Sequence, residues 1–378
     1  MIDELLQEVT KSENKVDENI GNTAKTIKAE VAKKDQPKFK PGVGVDVGTS
    51  NIVVSRMTED GTFVNRFHRD MLYPLEMSEE SQDLLSRSDY HYVKVNDVFY
   101  IVGEDALRLV NAIGRGEIVR PMKDGILNPN LKESSELLFY IIKAVVGEPI
   151  VPNETLRFSV PANPVDANIN NTFHKMLLQQ FFTKLGYNAK PVNEAMSIVY
   201  DCNPVMKGED GDTPFTGVAI SCGGGMSNIC LSFKGMELGA FSVLKSGDYI
   251  DTEASKATGV STSKVLKRKE KELDLLNVDF SDRVIAALSA FYEEVMGRVV
   301  HLSAKEFSSK GTEIDGEIEI VIAGGTSMPK GFCTKFEEIV KSTKFPFKIY
   351  RVRHSATPFY SVAQGSCIRA QSDWGKKT

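Results

Sequence analysis

The chain has 378 residues, of which 41% are hydrophobic and 26% charged, with a formal net charge of −5. That length leaves room for two or more domains with proper cores, and the composition is that of an ordinary soluble globular protein. The charge gives no global pull toward nucleic acid or an anionic membrane, and no apolar run approaches the roughly 20 residues that span a bilayer.

Residues 1–40 differ from the rest: polar, rich in Lys and Glu, with Phe39 as the lone aromatic. Ile2, Val9, Val16, Ile20, Ile27 and Val31 recur at helical spacings and form a stripe on one face. Three readings fit this segment: a solvated extension, a coiled-coil or partner-docking helix, and a membrane-surface helix. The stripe lacks the Trp, Phe and Leu that bury well in an interface, which disfavours the last. The linker-like stretch 35–42 ends it. Beyond it, 43–47, 52–56 and 61–67 read as a strand meander, 92–95 and 98–102 as a hairpin, and 104–110 as a helix. A helix over 134–146, a buried strand over 156–160, a long helix over 165–185 and a strand over 189–192 follow. The pattern then restarts with strands at 218–221, 228–233 and 240–244, predominantly helical sequence over 249–308, a core strand at 317–322 and a helix at 331–341. A meander with helices, followed by a second such unit, predicts a duplicated α/β architecture.

Three glycine turns end or follow short apolar strands: Gly48-Thr49-Ser50-Asn51, Gly223-Gly224-Gly225 and Ala323-Gly324-Gly325-Thr326. Such turns let backbone N–H groups converge on an anion with no Cβ in the way. Together they predict two similar halves closing on a nucleotide. The N-terminus shows no basic segment followed by an apolar one, so secretion is not expected. The five cysteines form no C-x-x-C pair and read as free thiols in a reducing cytoplasm.

With these turns in place, the chain resembles the actin/sugar-kinase/heat-shock ATPase superfamily, and within it the bacterial actin MreB. The likeness is carried by Asp46-Val47-Gly48-Thr49-Ser50-Asn51, the hexapeptide Arg120-Pro121-Met122-Lys123-Asp124-Gly125, Val160-Pro161-Ala162, Asn193-Glu194-Ala195-Met196, Gly247-Asp248-Tyr249-Ile250-Asp251 and Ala323-Gly324-Gly325. The resemblance implies an actin-like ATPase fold, with two duplicated RNase H-like halves and inserted small subdomains around a nucleotide cleft. It implies a polar amphipathic extension over 1–41, a first half over 42–190 with a small subdomain at about 71–118, and a second half over 191–378. That second half would hold a helical insertion at about 246–308, and a C-terminal helix at about 358–371 would return to the first half.

The resemblance also implies ATP or ADP with Mg²⁺ as cofactors. Asp46 would be the magnesium-side carboxylate, acting through water, and Glu194 the water-positioning carboxylate. Gly48, Thr49, Ser50 and Asn51 would meet the phosphates, with Gly223, Gly224, Gly225 and Ser227 as the facing loop. Lys267 would reach toward the nucleotide, and Gly324, Gly325, Thr326 and Met328 would pass the adenosine. Two departures stand out: Ser221 and Met226 replace the acidic residue and the threonine of the family's second loop, and Lys264 replaces a glutamate expected near the ribose. Losing one carboxylate should weaken Mg²⁺ binding and slow hydrolysis. The implied function is a filament-forming, cytoplasmic cytoskeletal ATPase concerned with cell shape, self-associating, with residues 1–40 offered to a partner or to a membrane-associated protein at the cell periphery. The alternative is a degenerate actin-like scaffold that binds nucleotide without turnover. A sugar-kinase-like phosphotransferase lacks a matching signature, and no nucleic-acid partner is expected.

Overall fold

The computed structural model describes residues 40–375 except 115, 203, 204, 209, 210, 310, 312 and 313, so the stripe expected within 1–40 lies outside the described residues. The chain opens with a meander, β1 (Val43–Val47), β2 (Asn51–Met57) and β3 (Phe63–Arg69). A small sheet of order β4-β6-β5 follows, from β4 (Leu72–Glu76), β5 (Tyr92–Val95) and β6 (Val98–Val102). Helix α1 (Glu79–Arg87), capped by Ser78, lies between β4 and β5, and α2 (Gly103–Ile113) follows β6. A short pair, β7 (Met122–Lys123) and β8 (Ile126–Leu127), then α3 (Ser134–Val146), lead to β9 (Thr155–Val160), α4 (Thr172–Lys184) and β10 (Asn188–Asn193). Strands β9 and β10 add parallel to β1, giving the order β10-β9-β1-β2-β3.

The second half repeats this plan. After α5 (Glu194–Asp201) and a hairpin of β11 (Val205–Gly208) with β12 (Gly211–Pro214) come β13 (Gly217–Cys222), β14 (Met226–Phe233) and β15 (Met236–Leu244). Helices α6 (Gly247–Thr258), α7 (Thr262–Glu272) and α8 (Arg283–Ser309) precede β16 (Glu317–Ala323), α9 (Phe332–Ser342), β17 (Lys348–His354) and α10 (Ser361–Asp373). The sheet order β15-β14-β13-β16-β17 matches the first sheet strand for strand, antiparallel within the meander and parallel beyond it. The turns are duplicated too. Gly48 N donates to Asn51 O at 3.0 Å, and Gly223 N donates to Met226 O at 3.0 Å.

Each sheet owns a core. Phe139 and Phe181 meet edge to face at 4.9 Å over the first sheet, with Phe158 and Phe182 at 5.2 Å beside them. Over the second sheet, the buried face of α8 sets Leu288, Tyr292, Val295, Val299 and Phe307 against Val218, Ile220, Ile320 and Ile322. Each fully buried side chain of this kind stabilises by roughly 1.5–3 kcal/mol. The two halves are joined by α5 and α10, which pack on each other. Helix α10 also lies on β1, β2 and β9, and α5 lies on β13 and β14.

Two elements depart from the sequence expectation, and a third is resolved more finely. The helix expected over 165–185 begins only at Thr172, because Pro161, Pro164, Asn168, Asn170 and Asn171 break it. The preceding stretch runs as a strap along β15: Val165 N donates to Ser242 O at 2.9 Å, and Asp166 accepts from Leu244 N at 3.1 Å and from Arg298 Nη2 at 2.8 Å. The predominantly helical stretch expected over 249–308 resolves into three helices, broken after α6 at Gly259, whose φ of 73° only glycine adopts cheaply, and again between α7 and α8. Strand β17 was hidden by its charges. Arg351 and Arg353 both bind the buried Glu319 of β16, at 2.5 and 2.9 Å, so a pattern that reads as solvated surface is an edge strand with its cations used.

Candidate functional site

Between the two halves lies a cavity of about 660 Å³. The β1–β2 and β13–β14 turns face each other across it, and the Gly324–Gly325 turn closes a further wall. Asp46, Gly48, Thr49, Ser50, Asn51, Glu194, Gly223, Gly224, Gly225, Gly324, Gly325, Thr326 and Met328 all line it. The glycines are demanded by proximity. A Cβ on Gly224 would sit 2.2 Å from Ser50 Oγ, one on Gly225 2.5 Å from Gly125 N, and one on Gly324, at φ 96°, 2.4 Å from Cys222 O. Backbone amides in such turns form a concave, donor-rich surface suited to an anion.

Two expected residues sit elsewhere. Ser227 is buried behind the second loop. Its hydroxyl lies 3.2 Å from Ser246 Oγ, which donates to Gly223 O at 2.7 Å, so it braces the loop from behind. Lys267 is exposed on α7 and outside the lining; Leu266, Lys269, Glu270 and Lys271 reach the cavity from that helix instead. Of these, Lys269 is committed to Asp251 Oδ2 at 2.7 Å, an internal ion pair.

The two carboxylates at the base are held differently. Asp46 Oδ1 accepts from Ser159 Oγ at 2.7 Å, and Ser159 Oγ in turn accepts from Val47 N at 3.1 Å. Burial pushes the Asp46 carboxyl up to about 6, with the Ser159 hydrogen bond opposing. Glu194, first residue of α5 after its Asn193 cap, accepts from Ser221 Oγ at 2.7 Å through Oε1 and from Asn228 Nδ2 at 2.9 Å through Oε2. Burial and the nearby Asp46 push Glu194 up to about 8. The strand register explains Ser221: it faces Asn228 in the second meander as Asp46 faces Val53 in the first. The second-half counterpart of the first carboxylate is therefore a hydroxyl, spent on holding Glu194.

A carboxylate whose folded value is raised binds a proton in the native state that the unfolded chain has lost. Its favourable contribution is complete below the ordinary value of 4.5 and is lost as the pH rises through about 8. The ligand-free protein should therefore lose stability between about pH 4.5 and 8, and Glu194→Gln should flatten that slope. Urea midpoints at stepped pH check it; an unchanged slope in the variant would place the titration elsewhere.

The site fits a magnesium-bound polyphosphate better than a protein-only metal centre. Among the described residues no group of three or more His, Cys, Asp or Glu could hold a metal. Mg²⁺ typically takes one or two carboxylates and completes its shell with water and substrate phosphate. Asp46 could serve as such a carboxylate, with the glycine turns placed for the phosphates. At the opposite end Phe359 and Tyr360 line the cavity beside Gly325, and Phe67 of β3 meets Phe359 edge to face at 5.2 Å. Sequence reading missed Ser159, Asn228 and this aromatic pair. Only Asn228 left a signal, as an amide within the otherwise apolar or small run Met226–Phe233.

Structure comparison gives three likenesses over most of this chain. The MamK double helical filament superposes with a TM-score of 0.62 at 18% identity, covering 88% of this chain and 98% of that one. MreB5 of Spiroplasma citri bound to AMPPNP gives 0.55 at 14% identity, covering 89% and 97%. The ethanolamine utilization protein EutJ from Carboxydothermus hydrogenoformans gives 0.51 at 12%, covering 90% and 93%. At these identities the likeness establishes the fold, which is that of the actin-like ATPases. No match was found among curated protein sequences. The family model for Volactin matches residues 42–370, the whole of the duplicated body, and the chain belongs to the Volactin family.

Proposed function

We propose that this actin-like chain binds ATP and ADP with Mg²⁺ in the cleft and self-associates into filaments whose assembly follows the bound nucleotide, with slow hydrolysis. The observation that carries this reading is the pair of equivalent glycine hairpins facing each other above Asp46 and Glu194. The fold of a filament, MamK, and of a protein bound to AMPPNP and to ADP, MreB5, supports it. In this reading the halves divide as 42–190 and 191–378, and the partner is another copy of the chain rather than nucleic acid. Residues 1–40 are offered to a partner at the membrane periphery of the cytoplasm. Among the described residues no helix is long and apolar enough to cross a membrane.

The roles follow from the geometry. Bound Mg²⁺ would neutralise charge on the phosphates. Asp46 would hold its water shell, while Thr49, Ser50 and the loop amides orient the phosphates. Glu194, gripped through both oxygens, would orient the attacking water, and it can accept a proton only once ionised. Burial and the nearby Asp46 push its carboxyl up in the empty cleft, so turnover should be slow and should rise with pH.

Ser221 favours a second reading, a nucleotide-bound scaffold without turnover, because the facing carboxylate is missing. Phosphate release from Mg-ATP against protein concentration separates the two. A rate that switches on above a threshold concentration would support assembly-coupled hydrolysis. Tight nucleotide binding with no release at any concentration would leave the scaffold, and the absence of nucleotide binding would reject both.

A further inference from the structure

The segment from Val119 to Gly125 crosses the floor between the two halves, and its Arg120 has acidic neighbours in both of them, Asp70 in the first and Asp248 and Asp251 in the second. Arg120 belongs to the first half: Val119 and Leu72 exchange backbone hydrogen bonds at 2.9 Å, which sets Arg120 beside Asp70 and Met71. Its Nη1 nevertheless reaches across to Asp248 Oδ1 on α6 at 2.7 Å and to Ser50 Oγ of the first loop at 3.1 Å. Ser50 Oγ completes the triangle by donating to Asp248 Oδ1 at 3.2 Å. Asp248 N also donates to Gly224 O at 2.8 Å, so this cluster ties the first loop to the second.

Asp70 is fully buried on Arg120's own side of the cleft. Its Oδ2 accepts from Met122 N at 3.2 Å, and its N donates to Ser50 O at 2.9 Å. Its Oδ1 has no hydrogen-bond partner among the described residues. An unsatisfied buried acceptor is costly, and one beside a guanidinium engaged elsewhere marks a contact absent from this conformation.

Resting on the nucleotide reading above, we infer that Arg120 is a two-position switch: it bonds Asp248 across the closed cleft and returns to Asp70 of its own half when the cleft opens. Opening separates the halves and removes Asp248, and an arginine side chain only 20% exposed is left in need of a replacement acceptor. Asp70 supplies it. A terminal phosphate held by both loops favours the closed arrangement, so the ratio of triphosphate to diphosphate affinity reports the balance between the two positions. Burial keeps the Asp70 carboxyl well above the usual carboxylate range, against the pull of Arg120. Asparagine keeps the size and the acceptor that Met122 N uses, and removes the carboxylate that would receive Arg120 on opening.

The test is to measure affinities for AMPPNP and ADP, both with Mg²⁺, on the full chain and on Asp248→Asn, Asp70→Asn and Arg120→Gln. Asp248→Asn should lower the AMPPNP-to-ADP affinity ratio about tenfold, Asp70→Asn should raise it several-fold, and Arg120→Gln should bring the two nucleotides close to parity. Opposite signs from two carboxylates beside one arginine are the signature that a merely structural role would not give. Changes in the same direction, or none, would overturn the switch while leaving nucleotide binding in place. If the wild-type chain binds neither nucleotide, the site reading fails with it. Should Asp70→Asn not fold, the separation of fluorophores placed one on each half settles the point. Asp248→Asn should shift the Mg-AMPPNP complex toward the ADP distance, and an unchanged distance would overturn the switch.

Discussion

Asp46→Ala is expected to lower Mg-nucleotide affinity by about two to three orders of magnitude, the largest binding loss of any single substitution in the cleft. Asp46 is the carboxylate of the first loop, and the register leaves it without an acidic counterpart, because Ser221 occupies the equivalent place. Glu194 is held by Ser221 and Asn228 for its own role toward water, one hydrogen bond to each oxygen. The substitution should leave the fold intact: Ser159 Oγ keeps its hydrogen bond from Val47 N, and a carboxylate already raised by burial is removed. Titration calorimetry with and without Mg²⁺ gives a sharp check. The loss should be present with Mg²⁺ and nearly absent in EDTA, because alanine then removes only a repulsive charge. Equal losses in both conditions would mean that Asp46 contacts nucleotide or supports the loop directly. Retained affinity with Mg²⁺ would remove it from the site.

Much of this site was legible in the sequence because glycine turns are local. Gly48, Gly223 and Gly324 each sit at the end of an apolar strand, and a sharp turn there requires little from the rest of the chain. The actin-like fold was legible for a related reason, since short apolar strands recur at matching places in the two meanders and the motifs at their ends resemble those of the superfamily. What the sequence hid were contacts made at a distance. Ser159 meets Asp46 from 113 residues away, and Arg120 meets Asp248 from 128. No spacing rule reaches that far. Lys267 shows the limit of reading by motif position. The motif implies a lysine near the nucleotide, yet the face that α7 turns to the cavity presents Leu266, Lys269 and Glu270. The strap after β9 misled because Val165 and Ile169 have helical spacing while the surrounding prolines and asparagines decide the backbone.

The largest loss of stability is expected from Gly365→Ala, a change that in most helices is stabilising. Alanine in a helix interior is favoured over glycine by about 1 kcal/mol. At Gly365 a Cβ would lie 1.7 Å from Ser197 O and 3.0 Å from Asp201 N, so α5 and α10 must part before it fits. Their separation would break the Ser197–Ser366 hydroxyl contact at 3.0 Å and the hydrogen bond from Ser361 to Asp201 at 2.5 Å. It would also pull α10 from the first sheet, where Gly44 permits equally close approach: a Cβ there would sit 1.9 Å from Ala363 O. Overpacking of this kind costs about 3 kcal/mol or more, well above the helix-propensity gain. The matched control is Gly297→Ala in α8, where a Cβ meets nothing within 4 Å. There the same substitution should be neutral or stabilise by up to about 1 kcal/mol. Urea midpoints should therefore move in opposite directions for the two variants. Because α5 and α10 are the pair through which each half leans on the other, the Gly365 variant should also lose the cooperativity of a single transition. A Gly365→Ala protein that unfolds like the wild type would mean that the two helices are not the clamp between the halves.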